Sequence, residues 1–271
     1  MSVRIGVNPI VWSNDDLREL GGDIPLETCL AEARAAGYDG IELGHKFPRE
    51  DAALRAALAP HDLQLISGWY SAGLLKRSVD EELAAMQEHL ALLKALDCDV
   101  MVFAETSRCV HGQVTTPLAG RPILTEGEWA RLCEGLDRVG QALWDQGVRL
   151  AYHHHMGTVI QTEAEVDRLM AETGPAVGLL LDTGHLAYAG GDPLAVARNH
   201  AGRVVHVHLM DVRREVVARA QAEGWPFLHA VTEGVFTVPG DGMIEYPPIM
   251  QALKSAGYDG WLVVEAEQDP D

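Results

Sequence analysis

The segment VGLLLDTGH, residues 177–185, restricts the fold more than any other part of the chain. An apolar run from Val177 to Leu181 stops abruptly at Asp182, with Thr183, Gly184 and His185 behind it. A strand with one face in water alternates polar and apolar residues, so an unbroken run reads as a parallel strand covered on both faces. Sheets of that kind belong to α/β folds, which hold their chemistry at the carboxyl ends of the strands. Asp182 is therefore a candidate ligand or catalyst, or simply the N-cap of the next helix. Two more strands end the same way. VVHVHLMD runs into His206, His208 and Asp211, and WLVVEAEQ runs into Glu265 and Glu267. Nitrogen and carboxylate oxygen donors at neighbouring strand ends converge on one point above the sheet, the outline of a divalent metal site.

The remaining chain repeats the strand and helix alternation until eight strands are counted, beginning at Arg4, Gly40, Leu63, Cys98, Val148, Val177, Val204 and Trp261. Apolar spacing predicts helices between them, including one long helix over Val79–Leu96. Thr106–Arg121 reads as a functional loop and Arg213–Pro239 as an insertion. The joint AGYDG occurs twice, at residues 36–40 and 256–260, each time with glycine at the position that ends a helix before a strand. Repeated turn chemistry predicts repeated geometry. With 271 residues and 47% hydrophobic composition, the expectation is one (β/α)8 TIM barrel domain over 1–271. Its eighth helix is expected to be missing or truncated, since six residues follow Glu265. The face so uncovered calls for the N-terminal segment or a partner subunit in a homo-oligomer.

Composition excludes several function classes. A formal net charge of -19 opposes attraction to a phosphate backbone, so no nucleic-acid partner is expected. The four cysteines lack CxxC spacing, which argues against a cysteine zinc site or a disulfide framework. No run approaches the ~20 apolar residues that cross a bilayer, and no signal peptide follows Met1, so the expected location is cytoplasmic. Within the strands, His206 fits a satisfied core histidine. His208 shares its face and lies nearer the barrel mouth. Glu265 needs a metal or a charged partner to stay ionised in a barrel interior. Strand five offers His153, His154 and His155 as a fourth ligand, the first and third sharing a face. Lys46, Glu105 and His111 sit on loops at the same mouth.

The motifs NPIVWSNDD, GYDGIELG, YHHHMGTVIQT, LLLDTGH, HVHLMDVR, GVFTVPGDG and VVEAEQDP together resemble the inosose dehydratase family of inositol catabolism, within the xylose-isomerase-like barrels. The resemblance runs from Asn8 to Pro270. It implies metal ligands at Asp182, His208, Glu265 and a strand-five position where many relatives carry glutamate and this chain has histidine, matched to His153. It also implies lysine where Met210 stands. The implied substrate is a small polyhydroxylated cyclic ketone, 2-keto-myo-inositol, which loses water through an enediolate to a trihydroxycyclohexane dione. Removal of a proton beside a ketone leaves an enolate, and a divalent cation on the carbonyl and a neighbouring hydroxyl stabilises it. On this reading His155 or Glu267 takes the proton, while Lys46 and Glu105 deliver one or hold hydroxyls. Asn8, His154, His185, Asp211 and Arg213 are assigned to substrate by their positions. Without thiolates, Mn²⁺ or Co²⁺, or else Mg²⁺, suits such a site better than structural zinc. A ketose epimerase or sugar isomerase needs the same enediolate and differs in losing no water; a non-catalytic sugar-binding relative would bind without turnover.

Overall fold

The structure, a computed structural model, describes residues 4–270; Met1 to Val3 and Asp271 lie outside them. Seven strands appear in the expected order: β1 (Arg4–Val7), β2 (Gly40–Leu43), β3 (Gln64–Ala72), β4 (Val100–Glu105), β5 (Arg149–His153), β6 (Val177–Asp182) and β7 (Val204–Leu209). A two-stranded ribbon, β8 (Asp211–Val212) and β9 (Phe236–Thr237), interrupts the series before β10 (Trp261–Val264) closes it. The barrel strands are parallel throughout, and β10 lies beside β1, with Arg4 opposite Trp261 and Val7 opposite Val264. This is the eight-stranded TIM barrel that the alternation demands.

Around it run α1 (Leu26–Ala35), α2 (Asp51–Leu58), α3 (Val79–Ala85), α4 (Gln87–Ala95), α5 (Glu126–Trp144), α6 (Glu163–Glu172), α7 (Thr183–Tyr188), α8 (Pro193–His200), α9 (Arg214–Glu223), α10 (Phe227–Thr232) and α11 (Tyr246–Ser255). Leu54, Leu93, Leu136, Val139, Leu169, Val196 and Leu253 form the inner stripe of this ring, each exposed by 1% or less. Removing one such side chain costs about 2–5 kcal/mol, because the ring cannot collapse into the gap. No helix follows β10 among the described residues, and none of the described helices is long and apolar enough to cross a membrane.

The repeated joint has repeated geometry. Gly37 and Gly257 both have positive φ, 94° and 81°. After α1, Gly37 N–H bonds Arg34 O and Tyr38 N–H bonds Ala33 O; after α11, Gly257 N–H bonds Lys254 O and Tyr258 N–H bonds Leu253 O. Both are Schellman endings, which need a residue tolerant of the left-handed region. Two readings are corrected. The helix expected over Val79–Leu96 is two, α3 and α4, jointed at the buried Met86. Hydrogen bonds from Met86 N–H to Glu82 O and from Leu90 N–H to Met86 O carry across the joint, so the apolar period continues through it. Thr183–Tyr188, read as the tail of a strand motif, is a helix. The Arg213–Pro239 insertion holds two helices, α9 and α10, and the ribbon strand β9, and carries an apolar cluster in which Met156, Tyr188, Met210, Phe227, Val231 and Phe236 pack together. Met210 is wholly buried there, so its side chain belongs to packing rather than to the barrel mouth.

Candidate functional site

The strand period of two builds the site. Ala151 and Leu180 pack inside the barrel, as Val263 does, so His153, Asp182 and Glu265 project inward one layer nearer the mouth. Register places Asp182 opposite His208 and His208 opposite Val263. One donor atom each from His153, Asp182, His208 and Glu265 lies within 4.8 Å of the others, and all four residues are buried.

Asp182 holds two positions at once. Its Oδ1 accepts from His185 N–H at 2.7 Å and caps α7, while Oδ2 faces His153 Nε2 at 3.3 Å and His208 Nδ1 at 3.4 Å. Burial opposes its ionisation, but His185, His153 and His208 outweigh burial and hold the carboxyl well below the usual range. His208 Nδ1 also abuts Glu265 Oε2. Burial lowers the His208 imidazole, yet Glu265 and Glu42 overcome that and raise it well above its ordinary value. Glu265 itself is pushed up, burial outweighing the pull of His208.

Beneath this set lies a carboxylate that strand patterning did not single out. Glu42, in the middle of β2, accepts from Asn8 Nδ2 at 2.8 Å, from His206 Nε2 at 2.8 Å, from His208 Nε2 at 3.1 Å and from Ser67 Oγ. Burial pushes it up, but His208 and His206 hold it well below the carboxylate range. Because His208 donates Nε2–H to Glu42, its Nδ1 is turned toward Asp182 and Glu265. A carboxylate behind an imidazole fixes tautomer and ring orientation in this way at metal sites. The signal was available: a buried carboxylate in the strand after AGYDG, the argument already applied to Glu265 after the second AGYDG.

Whether these residues suit a divalent cation can be judged from how their polar atoms face one another. Asp182 and Glu265 both turn an oxygen to the one nitrogen His208 Nδ1, and His153 Nε2 faces the same Asp182 oxygen. Two buried carboxylates converging on one imidazole nitrogen are costly in a protein interior without a further positive charge. Two imidazole nitrogens and two carboxylate oxygens are a set that first-row divalent cations accept. The residues fit the ion.

A cavity of about 220 Å³ opens over the set, lined by Asn8, Asp15, Asp16, Trp69, His111, His155, Glu267 and others, with Ile10, Leu43 and Val102 as its apolar part. Neither lysine nor arginine is among its described lining residues. Of the other residues singled out in the sequence, Asn8, His111, His155 and Glu267 line it, and the following six are placed elsewhere. Lys46 Nζ donates to the carbonyls of Gly21, Gly22 and Ile24, clamping the loop before α1. Glu105 is buried behind the wall, accepting from Ser107 N–H, and burial raises its carboxyl. Asp211 accepts from the N–H groups of Val212, Gly240 and Ile244, and Arg213 donates to Gly234 O, Thr237 Oγ1 and Asp241 Oδ2. Both pin the GVFTVPGDG segment rather than face the cavity. His154 follows the opposite face of β5, accepts from Asp182 N–H at 3.4 Å, and is pushed down to about 3 by burial and His153. His185 is buried beside the cavity, its ring 3.8 Å from that of His155.

Comparison with known proteins agrees with the geometry. The family described as xylose isomerase-like TIM barrel matches residues 30–271. The rhizopine catabolism protein MocC of Rhizobium meliloti is 50% identical over 270 residues, covering 100% of this chain and 83% of that protein. Inosose dehydratase of Geobacillus thermodenitrificans is 47% identical over 270 residues, covering 99% and 91%. Among solved structures, the IolI protein with a bound zinc atom superposes with a TM-score of 0.69 at 17% identity, covering 98% of this chain and 90% of that one, a likeness of fold. The barrel, its convergent donors and these full-length identities place the chain in the xylose isomerase-like TIM barrels and, within them, in the inosose dehydratase family.

Proposed function

We propose that the protein is a hydro-lyase removing water from 2-keto-myo-inositol, with His153, Asp182, His208 and Glu265 holding a divalent cation, Mn²⁺ or Co²⁺ before Mg²⁺. The observation that carries the reading is the buried four-residue donor set with unpartnered atoms at the floor of a small cavity. A cation held there supplies Lewis acidity to a ketone and its neighbouring hydroxyl. The proton-transfer groups come from the cavity wall. His155 donates Nδ1–H to Met156 O at 2.8 Å, which leaves Nε2 with its lone pair and makes it the base that takes the proton beside the ketone. Glu267, raised well above the carboxylate range by burial and by Asp16, keeps its proton and gives it to the departing β-hydroxyl. One C–H bond and one C–O bond break, a carbon–carbon double bond forms, and water leaves. Asn8 and Asp16 are placed to accept from or donate to ring hydroxyls, and the edge of Trp69, 5.3 Å from His153 and 5.7 Å from His155, closes the wall.

The test is to strip the protein with chelator, reload it with Mn²⁺ or Co²⁺, supply 2-keto-myo-inositol and follow product mass. A metal-dependent product lighter by one water supports the reading. Turnover of ketoses without loss of water moves the function to an epimerase or isomerase.

A further inference from the structure

Next to the first donor set stands another that dehydration does not call on as a ligand set. His155 follows β5, His185 lies in the first turn of α7, and Glu267 follows β10; one donor atom from each lies within 4.8 Å of the others. Their exposures are 7%, 1% and 2%. His155 Nε2 carries a free lone pair, because Nδ1 is committed to Met156 O. A metal-binding histidine has the same arrangement, with its second ring nitrogen donating to a carbonyl. His185 has no hydrogen-bond partner on either ring nitrogen among the described residues. Its surroundings explain why none can arrive from the protein: Phe227 and Phe236 face its ring at 5.8 and 5.1 Å, and Phe227 also lies 5.1 Å from His155. Glu267 accepts from Asn14 Nδ2 through Oε1 at 3.0 Å, with Oε2 left over. A fully buried imidazole with both nitrogens unmet is rare in a native protein and points to an occupant.

We propose that His155, His185 and Glu267 form a second divalent-cation site and that its occupation switches the enzyme off. Two nitrogens and one carboxylate oxygen suit zinc, with a fourth position open to the cavity. The aromatic walls from the insertion hold the two rings in place and keep water from competing. A cation there engages the lone pair of His155 and a carboxylate oxygen of Glu267, so neither of the two groups that move protons in the proposed function is left free to do so. The inhibitory part rests on that reading; the site itself rests on geometry alone.

Equilibrium dialysis of the full chain against Zn²⁺, with bound metal counted by mass spectrometry, tests both parts. The expected result is two zinc ions per chain, falling to one in His185→Ala and in Glu267→Gln. Glu267→Gln preserves side-chain size, and unchanged melting curves certify folding in either case. Asp182→Asn retains the second ion and loses the first. In the wild type, turnover rises as the first equivalent binds and falls with the second, and in His185→Ala the fall is gone. A single ion in the wild type overturns the site, as do two ions in both variants. Two ions with undiminished turnover overturn the switch. Two ions lost as expected, with no water removed at any loading, uphold the site and refute the dehydratase reading.

Discussion

Two buried polar clusters share the interior of this barrel, one layer apart, and they are built on opposite rules. In the lower one, both Glu42 oxygens are engaged, by Asn8, Ser67, His206 and His208. In the upper one, His153, Asp182, His208 and Glu265 turn nitrogens and oxygens toward one another and leave several unmet. His208 belongs to both, one ring nitrogen in each. The contrast teaches that burial of charge does not by itself mark a site. A carboxylate surrounded by donors is scaffold, whereas two carboxylates sharing one imidazole nitrogen call for a cation from outside the chain.

Substitutions can break or sharpen this contrast. Asp182→Asn has the largest expected effect: asparagine still caps α7, so the melting temperature stays at that of the metal-free wild type, but the ion of the upper cluster is lost and turnover falls by about a thousandfold or more, about 4 kcal/mol of transition-state stabilisation. Equal turnover in this variant would remove the upper cluster from the chemistry. Glu42→Gln follows, with metal affinity about 10–100-fold weaker as the imidazole behind the site loses its anchor; calorimetric titration with Mn²⁺ measures it. If affinity is unchanged, the lower cluster is scaffold only. Metal removal comes next: chelation of the Mn²⁺-loaded protein lowers the melting temperature reversibly, since ligand at a hundredfold excess over Kd contributes about 2.7 kcal/mol, and Asp182→Asn loses the part of this response that belongs to the upper cluster. Asp211→Ala frees three backbone N–H groups, costing about 1–3 kcal/mol, with metal stoichiometry intact. Lys46→Met is the smallest, leaving turnover within about threefold while thermal unfolding shifts downward; a large loss of turnover would return Lys46 to the site.

The barrel and the meeting of four side chains were legible because Asp182, Glu265 and His153 each follow an apolar run, and His208 shares a strand face with His206 one step nearer the mouth. Asp182 caps α7 through one oxygen and turns the other to His153 and His208, so the two readings open for it are not in competition. Glu42 escaped because it sits inside its strand, where no change of pattern marks it. Lys46, Asp211 and Arg213 misled for a different reason. A charge near a strand end can satisfy itself on substrate or on loop carbonyls and amides, and sequence spacing is the same for both. The helix Thr183–Tyr188 is only six residues long and starts on the motif itself, so its period never had room to show. Met86 joints two helices whose hydrogen bonds run on, which leaves the apolar stripe unbroken.

The absence of lysine and arginine from the described cavity wall reaches beyond the reaction. Much of a cell's carbohydrate is tagged with phosphate, and a phosphate ester entering here passes Asp15 and Asp16 with no lysine or arginine among the described lining residues to hold it. A wall of that kind favours free sugars over phosphorylated ones of the same shape. The enzyme can work among a crowd of sugar phosphates without being clogged by them.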